Sequence, residues 1–98
     1  MKIEWQLIAE QDLLEIVQYI AAENPQAAYQ IFDEIKGQIS LLEDHPQLGR
    51  IGRVNGTREL IIIRTPYLVA YRIIGDVVNI LRVTHGARKW PGLKNQKK

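Results

Sequence analysis

Ninety-eight residues, 46% of them hydrophobic and 24% charged, suffice for one hydrophobic core and leave no room for a second. The chain has no cysteine and only two histidines, which excludes a disulfide framework and a thiolate metal site and leaves too few ligands for a well-held zinc, so no metal or other cofactor is expected. The net charge of +2 conceals a division: residues 1–49 carry two basic side chains against nine acidic ones, whereas residues 50–98 carry eleven basic against two acidic.

That division has two physical readings. An acidic layer lying against a basic one attracts it within the same fold, and a basic surface also suits a polyanion or an acidic protein partner. The segment MKIEWQLIAE has no basic stretch leading into an apolar run, and no stretch approaches the roughly 18 consecutive apolar residues of a membrane span, so a cytoplasmic chain with no membrane contact is expected.

At the start of the chain, Ile3, Trp5 and Leu7 alternate with Lys2, Glu4 and Gln6, the period of two of a half-buried strand. From Glu10 the period lengthens. Leu13, Ile16, Val17 and Ile20 make one apolar stripe of a helix, with Asp12, Glu15 and Gln18 turned to water, and the helix stops near Glu23. Asn24-Pro25 then supplies a capping side chain and a proline suited to a first turn, which predicts a second helix to about Leu42. Its buried stripe reads Ala28, Ile31, Phe32, Ile35, Ile39 and Leu42.

Residues 43–57 lose periodicity and hold His45-Pro46, Gly49, Gly52 and Asn55-Gly56, the marks of a loop, and this loop carries Arg50 and Arg53. His45 before Pro46 reads as a helix stop. Three apolar runs follow, over residues 58–64, 67–74 and 77–83, separated by Thr65-Pro66 and by Gly75-Asp76, a type II′ hairpin signal. The order is β-α-α-β-β-β, an α+β fold in which a helical hairpin packs on a small antiparallel sheet. One domain over residues 1–91 is expected, with a polar, basic and mobile tail over 92–98.

Two-residue turns at both hairpins sort the strands into two faces. One collects Arg58, Leu60, Ile62, Arg64, Tyr67, Val69, Tyr71, Ile73, Val78, Ile80 and Arg82; the other collects Glu59, Ile61, Ile63, Leu68, Ala70, Arg72, Ile74, Leu81, Val83 and His85. Buried arginine is costly without a partner, so the face with three arginines is assigned to solvent and the other to the helices. A one-residue bulge would invert that assignment.

The segment GTRELIIIRTPYLVAYRIIGDVVNILRVTHGARKWP resembles the C-terminal sheet of the RelE/ParE toxin superfamily: a strand ending in arginine, a Tyr-x-x-x-Tyr strand, a turn, and a strand running into a basic segment. The upstream HPQLGRIGRVNG loop and the helix pair are similar to the same superfamily, and the resemblance covers Lys2 to Pro91. It implies the toxin of a type II toxin–antitoxin module, borne on a plasmid or chromosome and held inactive by a cognate antitoxin in a hetero-oligomer.

The superfamily holds two activities. RelE-like members cleave mRNA in the ribosomal A site, and ParE-like members poison DNA gyrase, an action for which they are not known to need an active site of their own. RNA cleavage by a 2′-OH needs a base, an acid and a group that stabilises the phosphorane charge, and an arginine fork fits the last role. By resemblance, Arg64 lies at the position of a phosphate-contacting arginine, Arg50 and Arg53 lie in a basic loop, and Arg88 falls near a C-terminal arginine; His85 is of the residue type best suited to acid or base work.

The superfamily's C-terminal catalytic tyrosine has no clear counterpart; Trp90 occupies that region and cannot transfer a proton in its place. Each residue also has a structural role open to it. His85 fits a hydrogen-bonded packing residue, Arg58 and Arg64 fit pairs with Glu59, the acidic helices or an acidic antitoxin, Tyr67 and Tyr71 fit sheet-edge packing, and Trp90 fits an anchor for the chain end as well as a platform for RNA bases. The pattern GRxGRxxGTREL with HGARxWP is closer to the ParE side, so the expected function is gyrase inhibition, with ribosome-dependent mRNA cleavage as the alternative. Target or antitoxin contact is expected at Arg50, Arg53, Arg58, Arg64, Arg82, Arg88, Lys89 and Trp90, and a nuclease would use Arg64, His85 and Arg88.

Overall fold

The structure is a computed structural model that describes residues 1–86. Its elements are β1 (Lys2–Trp5), α1 (Leu7–Ala21), α2 (Pro25–Ser40), β2 (Arg50–Ile51), β3 (Arg58–Ile61), β4 (Tyr67–Ile74) and β5 (Val77–His85). The α+β plan of two helices on a sheet is as the sequence leads one to expect, with one short strand more. β1 is shorter than the alternation implied, because extended Gln6 turns the chain directly into α1 and leaves Leu7 exposed on its first turn. α2 starts as its capping signal requires: the Asn24 side-chain oxygen accepts the Ala27 N–H at 3.1 Å, and Pro25 fills the first position. Beyond Ser40, a 3-10 turn over Leu41–Glu43 buries Leu42 completely. Phe32, placed on the buried stripe by periodicity, lies at its margin and is 39% exposed.

The sheet order is β1-β5-β4-β3-β2. β1 runs parallel to β5, with Lys2 opposite Val77 and Trp5 opposite Ile80, so the sheet is mixed and not wholly antiparallel. A period of two carries no information about strand direction, and β1 completes the ladder of β5, which would otherwise be an open edge. β2 is a second correction: within the segment read as loop, Arg50 pairs with Glu59 and Ile51 with Arg58.

The hairpins decide which face meets the helices. β3 and β4 pair with Arg58 opposite Tyr71 and Ile61 opposite Leu68, a longer connection than Thr65-Pro66 alone but one that keeps the same residues on the same face. β4 and β5 turn at Gly75, where φ is +60° and only the first turn position is left-handed, as type II′ requires. The ladder runs in the expected register as far as Tyr71 opposite Ile80; Ala70 then faces Arg82, and Leu81 is the extra residue of a bulge.

The helices pack on the face that carries the arginines, opposite to the sequence-based assignment. Leu60, Ile62, Val69, Tyr71, Val78 and Ile80 form one core with Ala9, Leu13, Ile35, Ile39 and Leu42, and the bulge brings Val83 into it. Ile61, Ile63 and Ile74 instead lie on the outer face, each more than half exposed. Inversion is tolerable because the polar groups on the buried face find partners. The outer face has its own small cluster, in which Leu68 and Ala70 pack with Val54 and Leu81. No helix among the described residues is long and apolar enough to cross a membrane.

Candidate functional site

The densest built feature of the basic half is the turn joining β2 to β3. Gly52 N–H donates to the Thr57 carbonyl at 2.8 Å, Thr57 N–H and its hydroxyl donate to the Val54 carbonyl, and Gly56 takes a φ of +81° that favours glycine. At its centre stands Glu59, on the outer face of β3 yet only 1% exposed. One carboxylate oxygen accepts Arg50 Nη2 at 3.0 Å, and the other accepts the Arg53 backbone N–H at 2.9 Å and Arg53 Nε at 3.0 Å. Burial by itself raises the pKa of such a carboxyl; the hydrogen bonds from Arg53 and Arg50 outweigh it and hold Glu59 below the usual glutamate value.

The opposite side of the turn is held by Tyr71 and Arg58. The buried Tyr71 hydroxyl donates to the Pro46 carbonyl at 2.7 Å and accepts the Gly49 N–H at 2.9 Å, and burial pushes its pKa up. Arg58 Nη1 donates to the Gly49 carbonyl at 2.7 Å. A Cβ on Gly49 would sit 2.7 Å from the Tyr71 ring, and one on Gly52 would overlap the Thr57 hydroxyl, so close approach demands both glycines. The GRxGRxxGTRE motif is thereby explained residue by residue. Arg50 and Arg53, with side chains 57% and 41% exposed, emerge from it at the surface.

The other predicted residues lie elsewhere. Arg64 is in the β3–β4 turn with a left-handed φ of +71°, and both arms of its fork are on Glu34 of α2, Nε at 2.9 Å and Nη2 at 2.9 Å. The pair with Arg64 and a hydrogen bond from Gln38 lower the Glu34 pKa, and Glu34 in turn raises that of Arg64. Gln38 also grips the backbone of the same turn, accepting the Ile63 N–H at 2.8 Å and donating to the Ile63 carbonyl at 3.0 Å.

Arg82, expected at the contact surface, is interior. It is 8% exposed and donates Nε and Nη2 to the two carboxylate oxygens of Asp12 at 2.8 and 2.9 Å, while the Val83 N–H donates to the same carboxylate at 3.0 Å. Asp12 is therefore turned inward, not to water. The hydrogen bond to Asp12 raises the Arg82 pKa.

His85 closes β5 opposite Tyr67, their rings edge to face with centroids 5.9 Å apart, beside a cleft of about 710 Å³ whose walls include Asp12, Glu15, Tyr19 and Thr84. Arg64 and His85 thus share one end of the sheet, but Arg64 is drawn to α2, whereas His85 stands beside the α1 wall of the cleft. Arg88, Lys89 and Trp90, and the tail from residue 92, lie outside the described residues. Among the described residues no group of three His, Cys, Asp or Glu side chains is placed to hold a metal.

Sequence reasoning turned Asp12 to water and offered Glu59 and the acidic helices as partners for Arg58 and Arg64; Arg64 does pair with Glu34 of an acidic helix, whereas Glu59 takes Arg50 and Arg53 instead. The one legible signal was Glu59 itself, an acidic residue inside an otherwise basic motif.

Residues 3–90 match the family described as ParE toxin of type II toxin-antitoxin system, parDE. The chain belongs to the ParE toxin family. This ParE-family chain is 40% identical over 90 residues to a protein of Sinorhizobium fredii named as toxin Y4kP, covering 92% of this chain and 93% of that one. It is 31% identical over 87 residues to Toxin RelE2 of Caulobacter vibrioides, covering 89% and 97%. Among solved structures, the chromosomal ParDE TA system from P. aeruginosa matches with a TM-score of 0.81 at 27% identity, over 87% of this chain and 95% of that one. The RelBE2 toxin–antitoxin complex from Mycobacterium tuberculosis shares the fold, with a TM-score of 0.54 at 24% identity over 86% and 95%. The ParE-family toxin is thus a type II toxin of the RelE/ParE superfamily.

Proposed function

We propose that this ParE-family toxin inhibits DNA gyrase in the cytoplasm and is neutralised by a cognate antitoxin whose acidic, partly disordered segment folds on the basic half of the toxin. The observation that carries the choice of target is the engagement of Arg64. In a nuclease this fork would have to grip the scissile phosphate, and here both arms are on Glu34. Stabilising a developing phosphorane requires donors aimed at it beforehand, and Arg64 is aimed at Glu34 of α2, whereas His85 stands beside the α1 wall of the cleft. A gyrase poison needs no proton transfer, only a surface that stabilises a protein–DNA intermediate, and Arg50 and Arg53, held on Glu59, supply a fixed basic one.

The similarity of the sheet and helices to the ParDE structure supports the same reading, and toxin–antitoxin complexes among the structural neighbours support the antitoxin partner. The test is gyrase supercoiling with purified toxin, scored for trapped double-strand breaks, with translation assayed in parallel. Inhibited supercoiling with normal translation is expected. Normal supercoiling at high toxin excess, with codon-specific cuts of mRNA on the ribosome, would transfer the function to mRNA cleavage.

A further inference from the structure

Glu59 is an expensive residue to place where it stands. Its neighbour across the ladder is Ala70, in a small apolar cluster, and an apolar side chain of similar size would fill that space without the cost of desolvating a carboxylate. What the carboxylate supplies is orientation. It accepts from the guanidinium of both Arg50 and Arg53, whose side chains are 57% and 41% exposed, while on the opposite face Arg58 is tied to the Gly49 carbonyl. The glycine contacts and the Thr57 bonds close the same turn around this carboxylate, so the backbone under the arginines is fixed as well. With one acidic and two basic side chains on this face, the cluster presents one net positive charge in a set arrangement.

We propose that Glu59 is a positioning residue for the toxin's contact with its target: it orders Arg50 and Arg53 before contact, so that an anionic face of the target meets arginines whose freedom has already been lost in folding. The proposal rests on the toxin reading above and extends it to a residue that touches no target. Ordering two long side chains only at the moment of binding would weaken the contact by roughly 10-fold.

The experiment measures growth arrest on induced expression, which requires no knowledge of the target, alongside supercoiling inhibition by purified toxin. Glu59→Gln keeps the shape of the side chain and removes its charge. Potency should fall by roughly 10-fold while unfolding stays cooperative. Arg50→Ala and Arg53→Ala should each cost potency in the parent, and neither should cost more than about 2-fold in the Glu59→Gln background, because the ordering is already gone. A purely structural role would leave those losses multiplicative.

A second variant, Arg50→Lys with Arg53→Lys, keeps both charges but lacks the fork that Glu59 holds, and its potency should fall similarly; this arm decides the matter if Glu59→Gln does not fold. Full potency in Glu59→Gln or in the double lysine variant, or multiplicative losses, would overturn the proposal. A parent that arrests growth but leaves gyrase untouched would refute only the gyrase reading, and the Glu59 comparison would still be read from growth. A parent that does not arrest growth removes the toxin reading and this proposal together.

Discussion

The pair between Asp12 and Arg82 offers the sharpest quantitative test of how the fold is held. Both side chains are largely buried, 13% and 9% exposed, and Asp12 receives three hydrogen bonds that tie the first helix to the last strand. Asp12→Ala takes from the interior guanidinium the carboxylate that accepts both arms of its fork. Removing one partner of such a pair costs about 3–5 kcal/mol, because the survivor keeps its desolvation penalty. A domain of this size has a total stability on the order of 5–15 kcal/mol, so the loss is a large share of the whole.

At about 4–8 °C per kcal/mol, the unfolding midpoint should drop by roughly 12 °C or more. In urea, Cm should fall by at least about 1 M with m unchanged. Asp12→Leu combined with Arg82→Met removes both charges and should recover all but about 1–2 kcal/mol, the remainder reflecting the Val83 N–H left without its acceptor. A cost below about 1 kcal/mol for Asp12→Ala, the size of an exposed pair, would refute the reasoning. So would a double variant no more stable than the single one.

Three further outcomes are expected. Because the folded-state pKa of Glu59 lies below its ordinary value of 4.5, its ion pairs stabilise the fold fully above that value and lose their effect as pH falls through the depressed pKa; thermal melts from about pH 5 downward should show a shallower loss in Glu59→Gln than in the parent, and identical slopes would contradict this. Tyr71→Phe removes the hydroxyl that serves both Gly49 and Pro46 and should cost about 1–3 kcal/mol in urea titration, whereas a neutral result would mean that water replaces it. Arg64→Gly gives up an exposed pair but relieves a left-handed backbone, two effects of about 1 kcal/mol each, so stability should stay within about 1 kcal/mol of the parent; a larger loss would show that the Glu34 contact holds the turn more strongly than its exposure suggests.

Local features of the chain were legible and distant ones were not. Asn24-Pro25, the apolar period of the two helices and the Gly75-Asp76 turn act over a few residues, and each lies where it was expected. The face of the sheet was misassigned for two reasons. A single extra residue, Leu81, brings Val83 to the helix-facing side in mid-strand, and the partner that makes Arg82 tolerable inside, Asp12, is 70 residues away in sequence. The GRxGRxxGTRE motif was recognisable as a pattern, but its internal logic, a buried carboxylate with arginines folded over it, needed the pairing of β2 with β3, which periodicity cannot reveal across two residues. Arg88, Lys89 and Trp90 were named as contacts and lie outside the described residues.

The parallel pairing of β1 with β5 bears on how the protein is born. Among the described residues the first strand has as its only partner in the sheet β5, with Lys2 facing Val77, so during synthesis it must wait until residues 77 onward have been made. The helices form from local contacts, but the sheet closes only across this long separation, a slow step for a small domain because the chain must be looped before the contact rewards it. A nascent toxin is thus incomplete, with its core open along β1, until β5 emerges. An antitoxin made beforehand has that interval in which to be waiting.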